Sequence, residues 1–465
     1  MTPDQLLPAK FMEKYRCLMG NEAESFFESL CQERTYGVRK NDLKVDTTTF
    51  EELWQREFGV APEPIPWVPG GYYYDGNSIQ PGRSTMYIRG LYYIQDPSAM
   101  LPGAVAAPAP GMNVLDLCSA PGGKAIQMAA YMQGRGTLYC NDISASRIKA
   151  LIRNLEQFGV RNSVVLNEEP AKLIDIFRDY FDVIVADVPC SGEGMFRKDR
   201  GSISQWDSHG ADKLCHIQYD ILCSAAQMVR GGGAIVYSTC TYAPEENEQI
   251  IERFLQEHPE FDLRYIPKGY GQAPGRGEWT VHGTDMDASV RMWPHLLRGE
   301  GHYTACLVRQ GDAYREPIKA KASADRKVMQ AFEKFASDVL TRPLEGYCYY
   351  TVGNGLYAMR EMPAKLDRIK VCKFGWYLGC LDHDKFVPSQ SLVSALSLEE
   401  IKGEAVLNLS STDPAAHSYL KCETPDFDMD RRGYGAVAID GIPVGWVKST
   451  GSVIKNMYPS GWRMY

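Results

Sequence analysis

The middle of the chain alternates between short apolar runs and longer segments in which apolar residues recur three and four positions apart. The apolar runs lie at 112–115, 137–141, 163–166, 181–187 and 233–241. The longer segments lie at 125–132, 143–158 and 215–229. Short apolar runs bounded by turn residues are typical of buried strands, and the spacing in the longer segments is typical of helices. Strands that alternate with helices predict an α/β fold with a mostly parallel sheet.

Polar and sulfur-containing residues follow three of these strands. The first strand leads into Asp-Leu-Cys-Ser-Ala-Pro-Gly-Gly-Lys at 116–124, the fourth ends at Asp187 shortly before Cys190, and the last ends next to Cys240. Ligands of open α/β sheets bind beyond the carboxyl ends of the strands, so we expect these residues to meet at one rim. The Gly pair lies in a strand-to-helix turn, where a ligand can approach the backbone closely. A plain structural turn is the alternative interpretation.

The two ends of the chain follow other patterns. Helical spacing predicts a packed pair of helices within residues 1–35, and a segment rich in Pro, Gly and Tyr predicts a loop at 62–81. A charged, Ala-rich stretch at 311–327 is typical of a linker. Beyond it, short strand patterns occur at 347–379, 404–409 and 435–448, with a hairpin turn at Asp440-Gly441. The chain therefore predicts small additional domains after the α/β domain.

Length and composition limit the class of protein. The 465 residues suffice for two or three domains, and a hydrophobic content of 44% suffices for their cores. No apolar run is long enough to span a membrane, and the first residues lack the pattern of a signal peptide. Thirteen cysteines without a Cys-x-x-Cys pair indicate reduced thiols in a cytoplasmic protein and predict no metal site.

Charge argues for selective rather than indiscriminate contact with nucleic acid. The net charge is −8, which disfavours indiscriminate binding. The C-terminal segment is nevertheless basic, since a single acid, Asp440, stands among Arg431, Arg432, Lys448, Lys455 and Arg463. Arg197 and Lys198, which follow the fourth strand, are predicted to contact phosphate. Exposed loop charges without a ligand are the alternative for these two residues.

Three motifs carry a resemblance to a known family. They are Cys-Ser-Ala-Pro-Gly-Gly-Lys at 118–124, Asp-Val-Pro-Cys-Ser-Gly-Glu-Gly at 187–194 and Ser-Thr-Cys-Thr at 238–241. Together they resemble the motifs of the Sun family of S-adenosylmethionine-dependent RNA cytosine-5 methyltransferases. Within that family the chain most resembles the RsmF-like branch, which modifies bacterial small-subunit ribosomal RNA. The resemblance extends from about Arg39 to Arg309 and, more weakly, through the C-terminal part.

The resemblance implies a Rossmann-like class I methyltransferase fold with appended parts. The implied divisions are a helical and mixed, RNA-facing N-terminal extension at 1–105, the methyltransferase domain at 106–310, a linker at 311–327, a central C-terminal α+β domain at 328–400 and a PUA-like, RNA-binding β-barrel at 401–465. RNA is the implied partner, most directly ribosomal RNA or the small ribosomal subunit. We expect a monomer that uses neither a membrane nor a metal.

The resemblance also implies the residues that bind S-adenosylmethionine. The Gly turn contributes Cys118, Ser119, Ala120, Pro121, Gly122, Gly123 and Lys124. Asp142 ends the second strand, and an acid about 20 residues beyond a Gly turn commonly binds ribose hydroxyls. A helix N-cap is the alternative role of Asp142. Glu169 stands where the family usually has Asp beside the adenine, and Asp187 is placed to contact the cofactor or the target base.

Methyl transfer to carbon 5 of cytosine requires activation of the base, because this carbon is a poor nucleophile. A thiolate that adds to carbon 6 makes carbon 5 enamine-like, and a base must then remove the carbon 5 proton so that the thiolate can leave. The residues alone do not decide whether Cys190 or Cys240 attacks. The resemblance implies that Cys240 is the nucleophile, that Cys190 assists release of the product and that Lys124 lies near the transferred group.

Two other interpretations are open. The first is the same reaction on transfer RNA, because related enzymes differ mainly in their appended domains. The second is a non-catalytic RNA-binding factor in ribosome assembly that keeps the fold, although both cysteines and the whole Gly turn are present. A methyltransferase that acts on amino groups is disfavoured, because it would carry Asn/Asp-Pro-Pro-Tyr where this chain has Asp-Val-Pro-Cys at 187–190.

Overall fold

The chain begins with a layer of helices. The computed structural model describes residues 2–206, 211–423, 429, 431–451 and 453–464. The helices predicted at the start are present, with the bounds α1 Pro3–Leu6, α2 Ala9–Met19 and α3 Ala23–Cys31. Phe11, Tyr15 and Phe26 of α2 and α3 are fully buried. Phe26 packs edge-on against Tyr242 and Trp293, so this helical layer shares a core with the following domain.

A small sheet lies between this layer and the largest domain in the order of the chain. Its strands are β1 Gly37–Lys40, β2 Glu63–Pro64, β3 Gly71–Tyr73 and β4 Tyr92–Ile94. They run in the order β2-β3-β1-β4. The loop predicted at 62–81 is wrong in part, because β2 and β3 lie within it and pair with each other. The helices of this region are α4 Thr47–Phe58, α5 Thr85–Ile88 and α6 Leu101–Ala106.

The largest sheet contains the strands predicted for the middle of the chain. The bounds are β5 Asn113–Asp116, β6 Thr137–Asn141, β7 Ser163–Leu166, β8 Phe181–Asp187, β9 Val229–Thr239, β10 Phe261–Arg264, β11 Ala273–Pro274, β12 Val290–Met292 and β13 His302–Arg309. The order is β11-β12-β13-β9-β8-β5-β6-β7, and β10 pairs with β13. Strands β5 to β9 are paired in parallel, which confirms the predicted α/β sheet.

Helices connect these strands. They are α7 Gly123–Met132, α8 Ala145–Gln157, α9 Pro170–Phe177, α10 Gly201–Trp206, α11 Ala211–Met228 and α12 Glu248–Glu257. Neighbouring residues of one strand face opposite sides, so Val114 and Leu115 of β5 belong to different core clusters. The chain leaves β5 for β6 on one side and later adds β8 on the other, which opens a crevice at the carboxyl end of β5.

Two predicted element ends are wrong. The helix expected at 215–229 stops at Met228, and β9 begins directly at Val229 rather than at 233. The three glycines at 231–233 therefore lie inside a strand. Gly231 has no room for a side chain, because an added Cβ would lie 2.5 Å from Ala313 N. The close approach of the chain segment around Ala313 thus explains Gly231, which in the sequence alone is typical of a helix end.

The segment after the predicted linker returns one strand to the largest sheet. It consists of α13 Arg326–Val339, β14 Cys348–Val352, β15 Gly355–Met359, β16 Val371–Phe374, β17 Trp376–Asp382 and β18 Lys385–Pro388. Strands β14, β15, β17 and β18 form a four-stranded sheet, whereas β16 pairs antiparallel with β7 and becomes the tenth strand of the largest sheet. Lys373 of β16 is buried and donates to Ser163 Oγ at 3.1 Å.

The last part of the chain contains a third four-stranded sheet, β19-β20-β21-β22, with two helices. Its elements are α14 Gln390–Ala395, β19 Val406–Leu409, α15 Pro414–Leu420, β20 Gly433–Ile439, β21 Ile442–Ser449 and β22 Ile454–Asn456. The predicted hairpin turn at Asp440-Gly441 is confirmed, and both residues have positive φ. Trp446 of β21 packs edge-on against Phe335 of α13, so the two C-terminal sheets share a core.

We expect a chain that ends at residue 325 to lose stability, because it lacks β16 and part of the main core. Tyr350, Met359 and Ala364 belong to the same cluster as Tyr139, whose hydroxyl accepts a hydrogen bond from Ala364 N–H at 2.9 Å. Calorimetry should show a thermal midpoint lower by about 5 °C or more. A chain that ends at residue 404 keeps these groups, and its thermal midpoint should be closer to that of the full chain. Equal midpoints for the two shortened chains would contradict this account.

Candidate active site

Two cysteines meet at the carboxyl ends of β8 and β9. The sulfur atoms of Cys190 and Cys240 are 3.3 Å apart, although the residues are 50 positions apart in the chain. The Gly194 N–H donates to the carbonyl of Cys240 at 2.8 Å, which ties the two loops together beside the sulfurs. The structure thus brings the two predicted thiols into contact at one rim of the sheet.

The Cys190 thiol is strongly affected by its surroundings. Hydrogen bonding with Cys240, and after it burial, raises the pKa of the Cys190 thiol well above its ordinary value. Cys190 therefore keeps its proton near neutral pH and can donate it to the neighbouring sulfur. A thiol that keeps its proton is a poor nucleophile, so the arrangement suits Cys190 as the donor and Cys240 as the acceptor in the contact between the two sulfurs.

Asp187 at the end of β8 lies between an ammonium group and further polar side chains. Lys124 Nζ is 2.6 Å from Oδ2, and the Ser238 hydroxyl donates to Oδ1 at 2.7 Å. His302 Nε2 lies 3.5 Å from Oδ1. Burial by itself would raise the pKa of Asp187, but Lys124 and His302 hold that pKa well below its ordinary value. Asp187 is therefore ionised at neutral pH and anchors Lys124 at the rim.

Hydrogen bonds from neighbouring elements fix the Gly turn at 118–124. Asp142 Oδ2 accepts from the Ala120 N–H at 3.1 Å, which links the turn to the end of β6. Asn154 of α8 donates from Nδ2 to the Pro121 carbonyl at 2.9 Å. The turn is therefore already shaped by the protein itself, as a preformed binding site requires.

The two glycines of the turn are needed for packing. Gly122 has φ +109°, a conformation that other residues rarely adopt, and an added Cβ would lie 2.9 Å from Leu151 Cδ1. A Cβ on Gly123 would lie 2.9 Å from Tyr93 Cε1. For Gly122 the structure thus supports a turn and packing role, which is the alternative to ligand approach.

Asp142 is not the cap of the following helix. The N-cap of α8 is Ser144, whose Oγ accepts from the Arg147 N–H at 3.5 Å. Asp142 Oδ1 instead accepts from the Ser144 N–H at 2.8 Å, while Oδ2 reaches the Gly turn. The N-cap alternative is therefore wrong. The carboxylate joins β6 to the Gly turn and lines a cavity.

Two cavities open at this rim. The larger, of about 590 Å³, is lined by carboxylates, thiols and apolar side chains that include Asp142, Glu169, Asp187, Cys190, Cys240, Ile143, Pro170 and Ile217. The smaller, of about 190 Å³, is lined by polar groups that include Tyr93, Asp116, Lys124, Lys198 and His302. Both cavities share Cys118, Ala120, Asp187 and Cys240. Every residue predicted to bind S-adenosylmethionine or to act as a catalytic thiol lines one or both of them, with the exception of Gly122.

Buried polar residues after β9 also hold the site, and sequence reasoning missed them. Asn247 Oδ1 accepts from the Thr239 hydroxyl at 2.6 Å, and its Nδ2 donates to the Thr241 carbonyl at 3.0 Å. Glu246 Oε2 accepts from the Ser191 N–H at 2.9 Å. These contacts fix the residues next to both thiols. The sequence around these residues did not indicate this role, because acids in the first turn of a helix are already explained by their favourable interaction with the helix dipole.

Of the two basic residues predicted to contact phosphate, only Lys198 is placed to do so. Arg197 is buried and pairs with Glu300, with Nε 2.9 Å from Oε2 and both side chains 4% exposed. The prediction for Arg197 is therefore wrong, because its charge is already neutralised inside the protein. Lys198 is exposed and lines the smaller cavity.

The part of the chain that the structure describes shows neither a metal site nor a membrane-spanning helix. There, no group of three or more His, Cys, Asp and Glu side chains could hold a metal ion. Among the same residues, no helix is long and apolar enough to cross a membrane. All thirteen cysteines are free thiols.

Comparison with known proteins matches four consecutive parts of the chain. The family model described as 16S rRNA methyltransferase RsmB/F matches residues 104–308. Three further models match residues 7–97, 334–396 and 406–464, and they describe the N-terminal domain, the first C-terminal domain and the PUA domain of the rRNA methyltransferase RsmF. The matches follow the order of the parts seen in the structure.

Whole proteins and a solved structure agree with these matches. Ribosomal RNA small subunit methyltransferase F of Vibrio vulnificus is 35% identical over 348 residues, which are 72% of this chain and 72% of the relative. The protein of that name from Shewanella loihica is 28% identical over 450 residues, covering 91% of this chain and 88% of the relative. A crystal structure of a methyltransferase homolog protein from Pyrococcus horikoshii is 25% identical, with a TM-score of 0.57, covering 67% of this chain and 100% of that one. The predicted Rossmann-like methyltransferase fold with a PUA-like C-terminal part is confirmed.

Gly122→Ala should lower the free energy of unfolding by about 2–4 kcal/mol, because it combines an unfavourable φ with a close contact to Leu151. Gly134 is the matched control, since its φ is +70° and no atom lies within 4 Å of an added Cβ. Gly134→Ala should lower the free energy of unfolding by about 1–2 kcal/mol, because only the unfavourable φ contributes there. Urea unfolding measures both values. Equal losses in the two variants would contradict the packing role of Gly122.

Proposed function

The chain belongs to the RsmB/F family of 16S rRNA methyltransferases, and from this premise we propose that it methylates carbon 5 of a cytosine in 16S rRNA. S-adenosylmethionine is the methyl donor. The observation that carries the proposal is the 3.3 Å contact of Cys190 and Cys240 beside the Lys124–Asp187 pair. Two thiols at the end of neighbouring strands supply the covalent chemistry that carbon 5 of cytosine requires.

The residues at the rim fit S-adenosylmethionine. The larger cavity combines the carboxylates of Asp142 and Glu169 with apolar side chains, which suits a nucleoside with hydroxyls and a flat base. Asp116 Oδ1 is buried and has no hydrogen-bond partner among the described residues, and burial raises the pKa of Asp116 to about 7. A bound ammonium group would satisfy that oxygen. Asp116, Asp142, Glu169 and the Gly turn at 118–124 are therefore the residues that would hold the cofactor.

Covalent catalysis starts at Cys240 in this proposal. Its thiolate forms a bond to carbon 6 of cytosine, which makes carbon 5 nucleophilic enough to take the methyl group that the cofactor supplies. A base such as solvent water then takes the carbon 5 proton, and the electron pair left behind reforms the double bond between carbons 5 and 6 and expels Sγ of Cys240 as a thiolate. The hydrogen bonds of Asn247 support this role, because they fix the residues on both sides of Cys240.

Cys190 takes the complementary role. Its raised thiol pKa means that it carries a proton when the sulfur of Cys240, at 3.3 Å, is a thiolate. A thiol donor at that distance stabilises the thiolate before attack and again when it leaves the ring. Asp187 and Lys124 complete the set, since both line the smaller cavity next to Cys240 and carry fixed opposite charges.

The identity of the RNA rests on the relatives and on the appended domain. The relatives from Vibrio vulnificus and Shewanella loihica are both named for the small ribosomal subunit. The PUA domain of RsmF matches residues 406–464. We therefore place 16S rRNA ahead of transfer RNA, and catalysis ahead of a purely RNA-binding role in ribosome assembly.

Cys190→Ala should trap the enzyme on RNA, because attack by Cys240 remains possible while release is slow. A slowly migrating protein–RNA species should appear on a denaturing gel with radiolabelled RNA. Cys240→Ala should form neither this species nor product, and the double variant is the control for Cys190→Ala. If Cys240→Ala forms the trapped species and Cys190→Ala does not, then Cys190 is the nucleophile and Cys240 assists release. Wild-type rates of methylation in both single variants would rule out thiol catalysis.

Deletion of the gene should remove one or more 5-methylcytosines from 16S rRNA, because the proposed enzyme would no longer transfer a methyl group to its target cytosines. Bisulfite sequencing of total RNA measures this directly. Expression of the wild-type chain should restore the signal, and expression of Cys240→Ala should not. A loss of 5-methylcytosine confined to transfer RNA would show that transfer RNA, and not 16S rRNA, is the substrate. An unchanged pattern in all RNA would favour the non-catalytic assembly factor.

A further inference from the structure

Glu193 is a buried carboxylate next to the segments that carry Cys190 and Cys240, and the proposed reaction does not use it. Glu193 is fully buried and lies in the Gly192–Gly194 segment, three positions after Cys190. Among the described residues, no Lys, Arg or His side chain forms an ion pair with it. Its charge is held only by neutral hydrogen-bond donors. A buried carboxylate in that situation depends on every donor that faces it.

Two of these donors belong to the turn that follows Cys240. The Thr241 hydroxyl donates to Glu193 Oε2 at 3.0 Å, and the Tyr242 N–H donates to the same oxygen at 3.0 Å. The next residue, Gly194, donates its N–H to the Cys240 carbonyl at 2.8 Å. Glu193 and Gly194 thus hold the backbone at Cys240 and at the two residues after it.

The other two donors come from helices outside the strand ends. The Tyr15 hydroxyl of α2 donates to Glu193 Oε2 at 2.6 Å, and Trp206 Nε1 of α10 donates to Oε1 at 2.8 Å. Burial, followed by the charge of Glu193, raises the pKa of Tyr15 well above its ordinary value, so Tyr15 stays a donor. The N-terminal helical layer therefore contacts the turn after Cys240 through one carboxylate.

The chemistry of the four donors requires an acceptor-only group. A carboxylate offers acceptors on both oxygens, whereas a glutamine amide would turn an NH₂ group toward at least one donor. Removal of one partner in a buried network leaves the remaining groups unsatisfied, and the turn would then shift to recover its hydrogen bonds. A shift of the turn moves Cys240 relative to Cys190.

We propose that Glu193 is a positioning residue for Cys240, and that α2 sets the place of this thiol through the Tyr15–Glu193–Thr241 connection. The proposal rests on the proposed function, because it assigns a task to the turn that carries the nucleophile. It gives the N-terminal extension a part in catalysis in addition to any contact with RNA.

Tyr15→Phe tests the proposal with the smallest change, because it removes one hydroxyl and keeps the ring in the core. We expect kcat to fall about 10-fold while KM for S-adenosylmethionine stays within about twofold, since misplacement of a reacting group lowers the rate of the chemical step. Lys14→Met on the same helix is the matched control. It removes the partly exposed pair with Glu245 at 2.7 Å and an ammonium group 5.8 Å from the Tyr15 ring, but it leaves the Tyr15 hydroxyl on Glu193, so kcat should stay at the wild-type value.

Alkylation of Cys240 by iodoacetamide gives a readout without RNA or cofactor. Peptide mass spectrometry follows this site separately, and its rate should change at least about threefold in Tyr15→Phe and in Glu193→Gln. If Glu193→Gln does not fold, Tyr15→Phe still decides. The proposal is overturned if the alkylation rate or kcat keeps its wild-type value while only the thermal midpoint falls. If the wild-type chain methylates no RNA, the proposed function fails, and the alkylation rates still decide whether Glu193 positions Cys240.

Discussion

The contact between Cys190 and Cys240 is the constraint on which the arrangement of the site depends. Two sulfurs 3.3 Å apart must be held by segments 50 positions apart in the chain, and neither segment is a regular element at that point. The protein meets this constraint with buried polar groups, Glu193, Glu246 and Asn247, that bind the backbone next to the thiols. Buried groups of this kind tolerate little displacement, because each lost partner leaves an unsatisfied polar atom in a medium of low polarity.

The site is assembled by parts of the chain that lie far apart in sequence. The N-terminal extension supplies walls of the smaller cavity through Tyr93 and Gln95, and Arg39 Nη2 donates to the Gly123 carbonyl at 2.8 Å. At one edge of the largest sheet, β16 adds a strand from beyond the predicted linker. The extension and the later strand are therefore integral to the methyltransferase domain. This explains why the predicted linker at 311–327 does not mark the end of the largest sheet.

Sequence patterns predicted the strands, their polar ends and the meeting of Cys190 with Cys240, because each of these follows from short-range periodicity and from the geometry of parallel sheets. The patterns could not predict Glu193 or Asn247 as supports of the site. Periodicity reports which positions are buried, and it carries no information on which distant group a buried polar side chain will bind. The same limit explains the wrong prediction for Arg197, whose partner Glu300 is about a hundred positions away.

The most direct test of the account uses RNA in which the target cytosine carries fluorine in place of the hydrogen at carbon 5. Such a base can form the bond to a thiolate and take the methyl group, but it has no carbon 5 proton to lose, so the bond to sulfur cannot break by this route. After incubation with S-adenosylmethionine, peptide mass spectrometry should find the methylated nucleotide attached to Cys240. Attachment to Cys190, or no covalent complex from an enzyme that methylates the unmodified RNA, would contradict the account.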